Sequence, residues 1–181
     1  LKISRDGDLV SESDEGSLLR AHVRLDAHGR LAGLDHATME PLTGPKGAPL
    51  AGKAESDPEG VAVWPNGDVM VSFERDHRIW LYPHAGGDPR TMPRPMISMP
   101  SNRGMEALAL APSQGPDAYG VGVEGGSIWL CRLTKPCRRW NAFINPPLLF
   151  RLTALAETPQ GDLAILHHSW NPLMGTHVRL S

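Results

Sequence analysis

Gly60-Val-Ala-Val-Trp64, Pro65-Asn-Gly-Asp68 and Val69-Met-Val-Ser-Phe73 form two apolar runs around a tight turn. Asn66-Gly67 between apolar runs is the strongest short signal for a β-hairpin. The same pattern recurs along the chain. Ala107-Leu-Ala-Leu-Ala111, a turn around Gly115 and Ala118-Tyr-Gly-Val-Gly-Val123 form a second copy; Ala154-Leu-Ala, Pro159-Gln-Gly-Asp162 and Leu163-Ala-Ile-Leu166 form a third. Arg5-Asp-Gly-Asp8 with Leu9-Val10-Ser11 opens the chain as a partial copy. The turn glycines Gly7, Gly67, Gly115 and Gly161 are 60, 48 and 46 residues apart. Each second run is followed by a short polar turn and a third apolar run, as in Arg78-Ile-Trp-Leu-Tyr82 and Ser127-Ile-Trp-Leu-Cys131.

Several short strands repeating every 40–50 residues are the signature of propeller blades. The predicted class is all-β, with about four blades' worth of chain over residues 1–181 in a single domain, complete or part of a six-bladed ring. A β-sandwich is the alternative, since it also uses short strands and turns. Strands that are apolar on both faces, such as residues 61–64, fit sheets sandwiched between neighbouring blades.

Composition agrees. The 19 glycines and 17 prolines make up about a fifth of the 181 residues, against a usual ~12%, and neither suits the interior of a long helix. A formal net charge of −2 provides no basic footprint for nucleic acid or an anionic membrane. Every apolar run is well short of the ~20 residues of a membrane span, and no charged stretch followed by an apolar run marks a signal peptide at Leu1. Cys131 and Cys137 flank a plausible turn, and either a short disulfide clip or two separate thiols fits the spacing. Gly47-Ala-Pro-Leu-Ala-Gly52-Lys53-Ala54 has phosphate-loop spacing, but Ala54 replaces the Ser/Thr and Pro58 blocks a following helix. No G-x-S-x-G elbow supports a serine esterase.

The carboxylates give the sharpest expectation. If Asn66-Gly67 is a two-residue loop, Glu59 stands directly across from Glu74, ~5 Å between Cβ atoms. An odd loop centred on Gly115 likewise sets Glu106 across from Glu124. Like charges placed opposite one another destabilise a sheet unless a cation, an arginine or a shared proton compensates. Asp14 and His168 occupy the Glu74 position in their own repeats. Equivalent positions in successive blades converge at one end of the channel. Asp14, Glu59, Glu74, Glu106 and Glu124 are therefore the candidate ligands for a hard divalent cation such as Ca²⁺. Arg75, Arg103 and His168 are the candidate contacts for a phosphate. A purely structural role, as strand-end charges tied to arginines, is the competing reading. His167 and His168 point to opposite faces of a strand, and Trp80 and Trp129 are expected to pack between blades.

Ser56-Asp-Pro-Glu-Gly-Val-Ala, Gly67-Asp-Val-Met-Val-Ser-Phe-Glu-Arg75 and Asn102-Arg-Gly-Met-Glu-Ala-Leu-Ala109 with Val123-Glu124 resemble the "esterase-like activity of phytase" (phytase-like) family. Val10-Ser-Glu-Ser-Asp14 through Leu31-Ala-Gly-Leu34 resembles an earlier segment of that family, which usually has Asp-Arg-Gly where this chain has Asp14-Glu15-Gly16. The resemblance implies a β-propeller with recurrent acidic residues and hydrolysis of a phosphate ester. Joined to the clustered carboxylates, it gives the expectation of a Ca²⁺-dependent hydrolase with Glu59, Glu74, Glu106 and Glu124 as catalytic and metal-holding groups. It also implies a bacterial, periplasmic or secreted setting. Where the family usually carries Glu-Arg, this chain has His167-His168. That departure favours one alternative, a non-catalytic propeller that binds a ligand or a protein; a lactonase-like propeller hydrolase, which would share the acidic channel but act on carbon esters, is the other.

Overall fold

The computed structural model describes residues 1–140 and 149–181. Among these residues the chain forms four small antiparallel sheets arranged as the blades of a four-bladed β-propeller. Blade 1 is β1 (Lys2–Ile3), β2 (Asp8–Ser13), β3 (Ser17–Leu25) and β4 (Leu31–Pro41). Blade 2 is β5 (Pro58–Val63), β6 (Val69–Phe73), β7 (Arg78–Tyr82) and the short edge strand β8 (Arg90–Thr91). Blade 3 is β9 (Met105–Leu110), β10 (Ala118–Val123), β11 (Ile128–Arg132) and β12 (Lys135–Arg139). Blade 4 is β13 (Arg151–Glu157), β14 (Leu163–Asn171) and β15 (Gly175–Leu180). In each blade, strands consecutive in sequence are neighbours in the sheet. The first strands β5, β9 and β13 lie side by side, and β1 also reaches β5. No helix among the described residues is long and apolar enough to cross a membrane.

The repeat's doubly apolar strands are explained by what covers each face. Side chains alternate along a strand, and β6 is buried throughout. Val69, Val71 and Phe73 pack with Val10, Leu18 and Leu42 of the first repeat. Met70, on the opposite face, packs with Met105, Leu108, Tyr119 and Val121 of blade 3. A third layer joins Ala107, Ala109 and Ile128 to Leu152, Leu155 and Ile165 of blade 4. Each fully buried Val, Leu, Ile, Phe or Met side chain in these layers contributes roughly 1.5–3 kcal/mol by leaving water. Blades are therefore held mainly face to face.

Gly60 lies where blades 2 and 3 come closest. A Cβ there would sit 2.7 Å from Ser72 Oγ and 3.1 Å from the Leu108 backbone nitrogen. The buried Ser72 hydroxyl donates across the gap to the Met105 carbonyl at 2.7 Å. Cys131 and Cys137 form a disulfide between β11 and β12. A loop this short contributes roughly 2 kcal/mol through the unfolded chain.

The hairpin register departs from the sequence expectation. Val63, not Trp64, pairs with Val69. Gly67 is the residue at positive φ (+87°), whereas Asn66 is not left-handed. Pro65 cannot reach positive φ, so it starts an ordinary turn closed by the Gly67 amide on the Trp64 carbonyl at 2.8 Å. The result is a three-residue loop with a left-handed glycine rather than a two-residue Asn-Gly turn. In blade 3, Leu110 pairs with Tyr119. The 3₁₀ turn Pro112–Gln114 makes that connection even rather than odd.

Candidate functional site

The acidic residues meet because of a repeated backbone irregularity. The β5–β6 register shifts between Pro58 and Gly60, the β9–β10 register between Gly122 and Val123, and the β13–β14 register between Leu152 and Ala154. The extra residue is Glu59 in blade 2, Glu106 in blade 3 and Thr153 in blade 4, spaced 47 residues apart. A bulged residue leaves the ladder and its side chain is re-aimed.

Glu59 therefore does not face Glu74 across the sheet. The Glu74 amide donates to the Asp57 carbonyl at 2.8 Å, and the Glu124 amide to that of Gly104 at 3.1 Å. Asp57 is the residue across from Glu74, and Glu106 is likewise not the direct partner of Glu124. The slipped turn and the bulge nearly cancel, so the carboxylates still converge.

Asp57, Glu59 and Glu74 each present an oxygen within 4.8 Å of the others. Asp57 is 1% exposed and Glu74 is 8% exposed; Glu59 is half-buried. Two cations hold Asp57: Lys53 Nζ at 2.7 Å from Oδ1 and Arg75 Nε at 2.8 Å from Oδ2. Arg75 adopts a left-handed backbone, φ +58°, unusual for a side chain of its size. Its amide is tied to the Ser101 carbonyl at 3.1 Å. Strain of this kind persists where surrounding contacts impose it.

Burial pushes the Glu59 carboxyl up to about 8, aided by the charges of Glu106, Glu74, Asp57 and Asp14. Glu74 is raised by burial and then by Asp57, with Arg75, His77 and Lys53 opposing. Glu106 is raised by burial and by Glu74, against a backbone hydrogen bond at Gly104 and the charge of Arg151. Carboxyls that raise one another's pKa form one electrostatic unit. Glu59 shares it with residues of three repeats: Asp14 from the first, Asp57 and Glu74 from the second, and Glu106 from the third. A hard cation replacing the proton on Glu59 would relieve the repulsion.

The other candidates lie beside this triad, toward blade 4. Glu124 is tied up by Arg151 and by Arg103 Nε at 3.6 Å. Arg151, the blade 4 counterpart of Asp57, pairs in register with His168. Arg103, Glu124, Arg151, His168 and Trp170 line a separate cleft of about 570 Å³. His167 is buried, with Nε2 3.0 Å from Ser181 Oγ. Gly104 leaves room beside the acidic cluster, since a Cβ there would sit 3.0 Å from the His77 ring and 3.4 Å from Glu74 Cγ. Asp57 and Lys53 escaped the sequence reading, because only a register that includes the Glu59 bulge brings Asp57 opposite Glu74.

A family model described as "Phytase-like: Esterase-like activity of phytase" matches residues 1–129. That span includes Asp14, Asp57, Glu59, Glu74, Glu106 and Glu124. No curated protein matches the sequence. Among solved structures, the extracellular domain of BT4673 from B. thetaiotaomicron is similar with TM-score 0.51 at 15% identity, over 93% of this chain and 22% of that one. Virginiamycin B lyase from Staphylococcus aureus gives TM-score 0.50 at 12% identity, over 100% of this chain and 72% of the lyase. U3-55K gives TM-score 0.51 at 13% identity, over 96% of this chain and 48% of that one. These likenesses establish the propeller fold. The chain spans under a quarter of the BT4673 domain's length.

Proposed function

The chain belongs to the phytase-like, "esterase-like activity of phytase" family, and on that premise we propose that its acidic channel mouth holds a calcium ion and hydrolyses a phosphate ester. The observation that carries this reading is the Asp57–Glu59–Glu74 cluster, three carboxylates within 4.8 Å, with Glu59 raised to about 8. Asp57, Glu59 and Glu74 would hold the ion, with Glu106 and Asp14 adding charge at the rim. Carboxylate oxygens with no soft donor among them suit a hard cation. When bound, the ion supplies positive charge against a phosphoryl oxygen and lowers the pKa of a water.

The chain's own residues supply the remainder. Glu59 would hold the ion as its carboxylate, giving up its proton when the ion binds. Arg75 is fixed through Nε on Asp57, leaving its terminal nitrogens for a phosphate oxygen. Arg103, 56% exposed beyond its contact with Glu124, is the second phosphate contact, and Glu124 orients it. His168, in the neighbouring cleft, would meet the organic part of the ester. The Cys131–Cys137 disulfide supports an exported setting, as disulfides persist in oxidising compartments.

A second reading, a propeller that binds without turnover, is favoured by blade 4. There Arg151, Thr153 and His168 replace the acidic set of blade 2. Calcium titration by calorimetry together with p-nitrophenyl phosphate and lactone assays separates the readings. Calcium-dependent phosphate release, at least tenfold lower in Glu59→Gln, is the expected result. Calcium binding without turnover selects the binding module, lactone cleavage alone selects the lactonase-like alternative, and no calcium binding rejects the metal centre.

A further inference from the structure

Blades 1 and 2, blades 2 and 3, and blades 3 and 4 each share a buried apolar layer. Among the described residues, blades 4 and 1 share none. They are linked at their inner strands, where Lys2 Nζ donates to the Leu155 carbonyl at 2.8 Å. Each end blade therefore keeps one face that no other blade covers.

Both leftover faces are apolar. In blade 1, Val10 and Leu18 point to blade 2, so Leu19, Val23 and Leu25 point away from it. Their cross-strand partners are Met39, Leu34 and Leu31, which share that face. Arg20, His22 and Arg24 stand on the blade 2 side, with Asp35 across from His22 and Glu40 across from Leu18. The pattern is inverted for a sheet with one wet side: the charges are turned toward the neighbour and the apolar side is turned to solvent. In blade 4, Leu155 and Ile165 point to blade 3, and His167, paired with Arg179, is on their side. Leu166 and Trp170 of β14 lie on the other face, as do Val178 and Leu180 of β15, the latter paired with Leu166. Leu19, Val23 and Leu166 are half-buried; the remaining apolar side chains of the two free faces are 44–70% exposed. Contiguous exposed apolar surface of this extent marks a contact site.

Blade 4 presents the side on which a following blade stacks, and blade 1 the side that stacks on a preceding one. A second copy of the chain supplies both. We infer that two copies pair about a twofold axis, the free face of blade 4 in each covering the free face of blade 1 in the other. Two equal seams close the pair and leave neither face unmatched. None of these side chains carries a charge, so pairing strips no ion of its water. They expose about 500 Å² of apolar surface per copy, at roughly 60–120 Å² for a whole aliphatic side chain and ~200 Å² for the indole. With an apolar share of ~60%, the seams would cover about 800 Å² of each copy, the size of a stable specific interface.

Sedimentation equilibrium of the unaltered chain between about 1 and 100 μM is expected to show monomers in equilibrium with dimers. Leu34→Glu on blade 1 and Val178→Lys on blade 4 should each weaken pairing at least 100-fold, since each seam then buries an unmatched charge. Mixing the two variants should bring the affinity back to within tenfold of the unaltered protein. In the mixed dimer one seam is unaltered and the other sets a carboxylate against an ammonium. Monomers alone at 100 μM, assemblies larger than a dimer, or variants that do not rescue one another would overturn the inference; blade 1 on blade 1, or blade 4 on blade 4, gives no rescue. Should a variant fold poorly, hydrogen exchange of the unaltered protein decides. The amides of Leu31–Pro41 and of Gly175–Leu180 must both slow as concentration rises, and slowing of only one strand, or of neither, contradicts the pairing.

Discussion

Glu74→Gln is expected to weaken calcium binding about 100-fold while making the calcium-free protein more stable. Glu74 is buried among like charges, and in the absence of a cation its negative charge works against folding. The amide keeps the shape but loses the charge, which removes one ligand and one source of repulsion together. An affinity loss of this size is about 2.7 kcal/mol. The substitution should also draw the Glu59 carboxyl down toward its usual range, since Glu74 is one of the charges that raise it. Calorimetric Kd values and thermal midpoints for both proteins, with and without calcium, check this. An unchanged Kd would remove Glu74 from the centre.

Phe73→Ala should cost about 3–5 kcal/mol of stability. The ring is fully buried between blades 1 and 2. It makes an edge contact with Trp80 at 5.6 Å between centroids, and the Arg78 guanidinium lies 3.9 Å above it. Truncation leaves a cavity and uncovers an arginine that is largely buried. Phe73 also pairs with Pro58, directly between Asp57 and Glu59 in sequence. The acidic cluster rests on this packing, so calcium affinity should fall with stability. Urea unfolding measures the change; a loss below about 1 kcal/mol would mean the blades are not held by this layer.

The propeller was legible because its cause is local. Turn residues, apolar runs and their spacing are properties of each repeat, and Val69–Phe73 is apolar on both faces because Val10 lies on one side and Met105 on the other. The register was harder to read. Asn66-Gly67 suggests a two-residue turn, but Pro65 selects a different one, and nothing in the letters of residues 58–60 announces a bulge. The expected Glu59–Glu74 contact thus rested on the wrong pairing, yet the two carboxylates do lie close together, beside Asp57 and its two cations. Glu124 shows the other limit. Its partner Arg151 is 27 residues away in the next blade, a contact set by how blades stack and invisible to any single hairpin. His168 follows Arg151 into that neighbouring cleft.

The protonated Glu59 gives the most direct test of the proposed centre. In the folded protein without calcium its pKa is about 8, well above the ~4.3 of an unfolded glutamate. Folded protein then holds a proton that unfolded protein has lost, so stability falls as pH rises from about 4.5 to 8. After discounting for partial exposure, the fall is on the order of 2 kcal/mol, or roughly 4–8 °C in Tm for a domain of this size. Calcium must expel that proton, since metal binding requires the deprotonated ligand. Titrating calcium at pH 7 in two buffers of different ionisation enthalpy counts the protons released per ion bound. Release of about one proton, vanishing in Glu59→Gln, is the expected result; binding with no proton release would contradict a calcium site built on Glu59.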